Sequence, residues 1–137
     1  MNIKIVIDSA CDMSLADAEK NNIRIVPLKV FFGDKMYLDN VTLSHSEFYE
    51  KLIESTRLPT TSQITPYEFG QVFREETQAG NKIICITVSG KLSGTYQSAC
   101  LAAKDFENVA VVDSMNGSIG ERILADYGVS LINRGKS

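Results

Sequence analysis

The sequence is poor in the residues that build disulfide frameworks and zinc sites. Among its 137 residues it has no tryptophan, three cysteines and one histidine. Cys11, Cys85 and Cys100 are odd in number and show no CxxC spacing, which favours neither a disulfide framework nor a zinc site. We interpret Cys85 and Cys100 as small core residues, and His45 as a solvated residue at a helix start. We therefore predict no metal and no cofactor.

An excess of positive charge is also missing. The chain has 14 lysines and arginines against 17 aspartates and glutamates, a net charge of −3. The basic residues are scattered, so the sequence excludes an electrostatic binder of nucleic acid or of an anionic membrane surface. We predict no nucleic-acid partner, while transient contact with a membrane stays open.

Long hydrophobic runs are absent as well. The longest, IRIVPL and IICITV, fall well short of the roughly 20 residues that span a bilayer. The start of the chain shows no signal-peptide pattern, so we expect a cytoplasmic protein. A chain of 137 residues with 44% hydrophobic residues is long enough for one buried core, and we expect a single domain over residues 1–137.

What the sequence does contain is an alternation of strand and helix patterns. The segments IKIVID, IRIVPLKVFF, KIICITV and VAVVD are almost continuously apolar, which is typical of strands covered on both faces. Helix starts are predicted between and after them, at Ser14, Ser44, Thr65, near Ser93 and about Ser118. This order predicts an α/β fold, a mainly parallel β-sheet of about four or five strands flanked by helices on both faces.

One segment departs from that alternation. VFFGDKMYLDN places Gly33 and Asp34 between two extended apolar stretches, which predicts a tight hairpin or a protruding ribbon. We expect this hairpin at an edge of the sheet.

Polar residues gather where the strands end. Asp8 and Ser9 follow the first strand, the segment SGKLSGT follows the third, and TTSQ leads into the third helix. Ligands of open parallel sheets bind at the carboxyl ends of the strands. The helix start at Ser93 and Gly94 leaves backbone N–H groups free for a carboxylate or phosphate. The same residues are also ordinary helix caps, so a purely structural role stays open.

Signatures of catalysis are weak. SGKLSGT lacks the leading glycine of a P-loop, since Cys85 stands at that position, and no G-x-S-x-G motif occurs. A hydrolase or phosphotransfer enzyme using Ser93 or Ser62 stays an alternative, but it needs a base and a metal that the sequence does not offer.

Several blocks together resemble the amino-terminal domain of the DegV family. They are KIVIDSACDM, IVPLKVFFGDKMYLDNV, FYEKLIES, LPTTSQITPYEF, ITVSGKLSGTYQSA and VAVVDSMNGSIGE, and they cover essentially the whole chain in order. The resemblance implies a non-catalytic bacterial protein that binds one long-chain fatty acid and presents its carboxylate to a fatty-acid kinase.

The resemblance also implies site residues. Thr61, Ser62, Ser93 and Gly94 correspond to the positions that bind the carboxylate, and Asp8 and Ser9 to positions that line or brace the same crevice. Ala10 stands where the family usually carries threonine. Family members are longer, because a carboxy-terminal lipid-binding domain supplies the rest of the pocket. We expect the linker to that domain near residues 133–137.

Overall fold

The structure, a computed structural model, describes residues 2–136 and shows two separate sheets. The strands are β1 Asn2–Asp8, β2 Ile23–Val26, β3 Lys29–Phe32, β4 Lys35–Leu38, β5 Thr60–Ser62, β6 Asn81–Thr87 and β7 Val109–Asp113. Four parallel strands pair in the order β2-β1-β6-β7, and three antiparallel strands in the order β4-β3-β5. The predicted parallel sheet is confirmed, with four strands.

The helices begin where the sequence predicts them. They are α1 Leu15–Lys20, α2 His45–Glu54, α3 Pro66–Gln78, α4 Thr95–Ala103 and α5 Ile119–Asn133. Hydroxyl groups of Ser14, Ser44 and Thr65 accept the backbone N–H three residues on, which is the bond that starts α1, α2 and α3. No described helix is long and apolar enough to cross a bilayer.

Two apolar clusters cover the faces of the parallel sheet. On one face Phe69 and Phe73 of α3 and Ala99 of α4 pack against Val6 and Cys85. On the other face Ile5, Ile7 and Ile86 pack against Met13, and against Ala125 of α5. The expectation of helices on both sides of the sheet is confirmed, and β1 and β6, buried on both faces, need apolar residues at nearly every position. The expectation that VAVVD is also covered on both faces is wrong, because Ala110 and Val112 of the edge strand β7 are exposed. Cys100, expected in the core, is half-buried.

The hairpin is present but its expected place is wrong. Lys29–Phe32 and Lys35–Leu38 pair antiparallel around Gly33, whose φ of 62° lies in the left-handed region. Pro27 separates β2 from β3, so the segment IRIVPLKVFF forms two strands that belong to different sheets. The hairpin joins Thr60–Ser62 in the second sheet instead of extending the edge of the parallel sheet.

The end of α5 falls in the segment where we expect a linker. The helix ends at Asn133, and Arg134 to Lys136 follow it without regular structure. Ser137, the last residue of that segment, lies outside the described residues.

Candidate functional site

A cavity of about 560 Å³ lies at the carboxyl edge of the parallel sheet, against the second sheet and α2. Its volume falls within the range of about 300–1,000 Å³ that is usual for small-molecule sites. Hydroxyl groups from two distant segments meet there. The lining residues are Ala10, Asp12, Leu28, Val30, Asp39, His45, Phe48, Tyr49, Thr61, Ser62, Gln63, Val88, Leu92 and Ser93.

Strand β5 brings Thr61 and Ser62 to the cavity. Thr61 pairs with Val30 and Ser62 with Lys29, so both residues are fixed by the backbone ladder of the second sheet. The Ser62 hydroxyl makes a long contact of 3.4 Å with the carbonyl oxygen of Gln63, and Thr61 is exposed. Both hydroxyl groups are therefore available to a ligand in the cavity.

A tight turn after β6 brings Ser93 to the same cavity. The carbonyl oxygen of Ser89 accepts the N–H groups of Leu92 at 2.9 Å and Ser93 at 3.2 Å. The Ser93 hydroxyl accepts the N–H of Thr95 at 3.2 Å and lies 3.0 Å from the Thr95 hydroxyl. Ser93 thus contributes a hydroxyl group that is already oriented by the first residue of α4.

Gly94 has a different place from the one we expect. It precedes α4 and packs against Gln63, since a Cβ atom on Gly94 would lie 2.0 Å from Gln63 Oε1. Gln63 lines the cavity, whereas Gly94 does not. The glycine makes room for the Gln63 side chain, so any effect of Gly94 on the cavity wall passes through that contact.

Asp8 and Ser9 lie behind the cavity wall and do not line its surface, so of the two roles expected for them, lining or bracing, they have the bracing one. Both are buried. Asp8 Oδ1 accepts the N–H of Ala10 at 3.0 Å and Oδ2 accepts the N–H of Val88 at 2.6 Å. Ser9 Oγ accepts the N–H of Leu28 at 2.9 Å. Since Ala10, Val88 and Leu28 all line the cavity, these two side chains brace its wall from inside.

His45 also lines the cavity, from the helix start at which the sequence places it. It is half-buried on the first turn of α2, and Phe48 and Tyr49, three and four residues on, line the cavity beside it. That spacing places the three side chains on one helix face. This spacing is visible in the sequence, but the sequence does not show what that helix face contacts.

Asp39, an acidic residue that lines the cavity, has a raised pKa. Burial raises the pKa of Asp39, while the Ser9 hydroxyl and His45 act in the opposite direction. None of the described lining residues is a lysine or an arginine. Residues 2–136 contain no group of three metal-ligating side chains.

The fold and the cavity together define a class. This is an α/β domain whose cavity has neutral hydroxyl donors beside apolar side chains, an arrangement that suits a small molecule with a polar head and an apolar tail.

The chain belongs to the DegV family. The family model described as "Uncharacterised protein, DegV family" matches residues 2–137. A DegV domain-containing protein of Clostridium acetobutylicum is 42% identical over 138 residues, which cover 98% of this chain and 49% of the relative. The chain therefore spans about half the length of that relative.

Two solved structures share the fold and the family. A DegV family protein from Thermus thermophilus, described for its fatty acid binding, is 36% identical with a TM-score of 0.90, over 100% of this chain and 49% of that chain. A stearic acid-binding protein from Eubacterium ventriosum is 34% identical with a TM-score of 0.89, over 98% and 49%. These relatives bind fatty acids.

Proposed function

We propose that the chain is the amino-terminal lobe of a fatty-acid-binding protein. One observation carries the proposal: Thr61, Ser62 and Ser93, from segments about thirty residues apart, line a single cavity that also has apolar walls. Hydroxyl groups bonded to a carboxylate form charge-assisted hydrogen bonds, which are stronger than neutral ones. The three hydroxyl groups hold the carboxylate of a long-chain fatty acid.

The apolar lining suits the tail of the same ligand. Leu28, Val30, Val88 and Leu92 line the cavity together with Phe48. Burying each methylene of a tail against such side chains is worth about 0.8 kcal/mol. The affinity therefore comes mainly from the tail, and the hydroxyl groups fix which end of the ligand enters.

The lobe acts as a carrier and not as an enzyme. In line with the family resemblance, it presents the bound carboxylate to a fatty-acid kinase, which forms the acyl phosphate. The cavity mouth makes transient contact with a membrane when the fatty acid is exchanged. With three free cysteines among the described residues, the chain suits the reducing cytoplasm.

A further domain completes the cavity. Tyr49 and Leu92 line it and are 62% and 73% exposed, so two large apolar side chains of the cavity face solvent side by side with its polar groups. The chain also spans about half the length of its relative from Clostridium acetobutylicum. Both facts support a carboxy-terminal domain that covers the open side.

His45 gives the hydrolase or phosphotransfer alternative one observation in its favour. It is a potential base, and it lines the same cavity as Ser62 and Ser93. The hydroxyl groups of both serines, however, contact other partners: Ser93 contacts Thr95, and Ser62 contacts the Gln63 carbonyl. A nucleophilic serine needs a hydrogen bond to its base, and neither contact supplies one.

Native mass spectrometry of the 137-residue chain, purified from a bacterial host, tests the proposal. We expect a retained mass equal to one fatty acid, confirmed after extraction by its fragmentation. A retained phosphate ester would favour the phosphotransfer enzyme. A chain that carries nothing and takes up no added stearate, even when extended by the carboxy-terminal domain that completes the cavity, would indicate a purely structural lobe.

A further inference from the structure

A pair of buried carboxyl groups lies behind the cavity wall. Asp8 ends β1 and Glu121 lies in the first turn of α5, and each is 0% exposed. Neither carboxylate oxygen of Glu121 accepts a hydrogen bond from a described N–H or O–H group. Burial, and after it the charge of Asp8 and a hydrogen bond with Asp8, raise the pKa of Glu121, so the two carboxyl groups are neighbours. Two adjacent buried carboxyl groups are stable only when one of them holds a proton.

The contacts of Asp8 show which carboxyl holds that proton. Burial raises the pKa of Asp8 as well, but Asp8 accepts two backbone N–H groups, from Val88 at 2.6 Å and from Ala10 at 3.0 Å, and these bonds act in the opposite direction by favouring its ionised form. Glu121 has no comparable donor. Burial, together with the charge of Asp8, raises the pKa of Glu121 to about 10. Glu121 is therefore a neutral acid with an O–H group to donate.

This pair joins three elements at the cavity. Asp8 connects the end of β1 to Val88, which follows β6, and both Val88 and Ala10 line the cavity. The segment that starts α5 is tied to the same place, because Ser118 donates its N–H to the carbonyl oxygen of Ala10 at 2.9 Å. Glu121 lies on the first turn of that helix. The position of Glu121 therefore affects Ala10 and Val88 through the Asp8 carboxylate.

We propose that Glu121 is a positioning residue of the cavity: as a neutral acid it donates a hydrogen bond to Asp8 and so fixes Ala10 and Val88 in the wall. The consequence for ligand affinity rests on the proposed fatty-acid binding. The hydrogen bonding at Asp8 does not depend on a ligand.

Two substitutions separate positioning from simple filling of space. Glu121→Gln keeps the shape and an N–H donor, whereas Glu121→Met keeps the approximate length and removes the donor. If Glu121 only filled space, Glu121→Met would be tolerated well, because it removes a buried carboxyl without a backbone donor. If Glu121 positions Asp8, only Glu121→Gln is tolerated.

The first readout needs no ligand. In the 137-residue chain we expect hydrogen exchange at the Val88 and Ala10 amides to rise at least about tenfold in Glu121→Met and to stay within about threefold in Glu121→Gln. Wild-type exchange at Val88 in a folded Glu121→Met variant would overturn the proposal.

The second readout uses stearate. We expect Glu121→Met to bind it at least about tenfold more weakly than wild type, and Glu121→Gln to bind within about threefold. If wild type takes up no stearate while the amide exchange follows the expected pattern, the proposed fatty-acid binding fails and the role of Glu121 at Asp8 is upheld.

A measurement on the wild-type chain covers the case in which Glu121→Met does not fold. Infrared spectra at neutral pH should contain the carbonyl band of a protonated carboxylic acid, and Glu121→Gln should lack it. Absence of that band from the wild-type chain would show that Glu121 is ionised and would overturn the proposal.

Discussion

At the scale of single residues, Gly94 controls the space beside the candidate site. A Cβ atom there would lie 2.0 Å from Oε1 of Gln63, a contact that no structure keeps. In Gly94→Ala the flexible Gln63 side chain must swing away from its place at the cavity. We expect stearate affinity to fall by a few-fold to about tenfold, with less than about 1 kcal/mol lost in the free energy of unfolding. Calorimetric titration and thermal unfolding measure the two effects.

A double-mutant cycle isolates that contact. In a Gln63→Ala background the extra methyl group meets no side-chain amide, so adding Gly94→Ala should change affinity little. Equal losses from Gly94→Ala in both backgrounds would show that the contact with Gln63 is not the cause.

Glu121 makes stability depend on pH with a definite sign. The folded chain holds a proton on Glu121 up to a pKa of about 10, whereas the unfolded chain releases it near the ordinary value of 4.5. The stabilisation is fully present below about 4.5 and is lost as pH rises toward 10. The groups that act on Glu121 are Asp8 and Asp12, and it acts in turn on the thiols of Cys11 and Cys85.

We therefore expect the free energy of unfolding of wild type, relative to Glu121→Gln, to decrease between pH 5 and pH 9. One proton sets an upper slope of about 1.4 kcal/mol per pH unit. Denaturant unfolding at several pH values measures the difference, with Glu107→Gln on the surface as the control. A difference that is constant with pH would show that Glu121 is ionised in the folded chain.

Residues of the site differ in how far the sequence predicts them. Thr61, Ser62 and Ser93 follow from hydroxyl groups placed at strand ends and from the family resemblance, and the structure brings them to one cavity. The sequence does not predict that His45 and Glu121 belong to the site, because the residues around them come from elements distant in the chain. Glu121 in a first helical turn resembles an ordinary solvated acid that complements the helix dipole.

At the scale of elements, α2 is held by its cap more than by its packing. No residue of His45–Glu54 is fully buried, although Phe48 packs edge-on against Phe32 at 5.7 Å between ring centroids. Its start depends on a capping box. The Ser44 N–H donates to the Glu47 carboxylate at 2.9 Å, and the Glu47 N–H donates to the Ser44 hydroxyl at 3.2 Å. The helix that carries His45 and Tyr49 to the cavity is thus only weakly fixed.

We expect Ser44→Ala to cost α2 about 1 kcal/mol. Because α2 contributes little to the core, hydrogen exchange should speed up within His45–Glu54 while the melting temperature of the whole chain shifts little. Ser46→Ala, in the same turn but not at the cap, serves as the control. Faster exchange throughout β1 and β6 would contradict this, since it would mean that α2 unfolds only with the whole domain.

The elements that could be predicted are those whose own residues determine the structure, through an apolar run or a helix cap. β1 and β6 are apolar because two helix layers cover them, and α1, α2 and α3 have hydroxyl caps. The second sheet could not be predicted in full. Pro27 was a local sign that one apolar run holds two strands, but β5 has only three residues and exists through its pairing with β3.

At the scale of the whole molecule, apolar side chains remain exposed at the cavity mouth. Leu92 is 73% and Tyr49 62% exposed. We expect the 137-residue chain to self-associate weakly through this surface, and Leu92→Ser with Tyr49→Ser to reduce the association without loss of stability. Sedimentation velocity over a range of concentrations measures the effect, with Ile123→Ser on the exposed face of α5 as the control. Equal association in all variants would place the contact elsewhere.

The central claim is that hydroxyl groups in this cavity hold a fatty-acid carboxylate, and one comparison tests it most directly. Thr61→Val removes the hydroxyl of a cavity residue while keeping its shape. Thr60→Val makes the same change at the neighbouring position of β5, which does not line the cavity. The equilibrium dissociation constant for stearate should rise about 10- to 100-fold in Thr61→Val, as expected for the loss of a hydrogen bond to a charged group, and stay near wild type in Thr60→Val. Equal affinities in all three chains, or equal losses in both variants, would contradict the account.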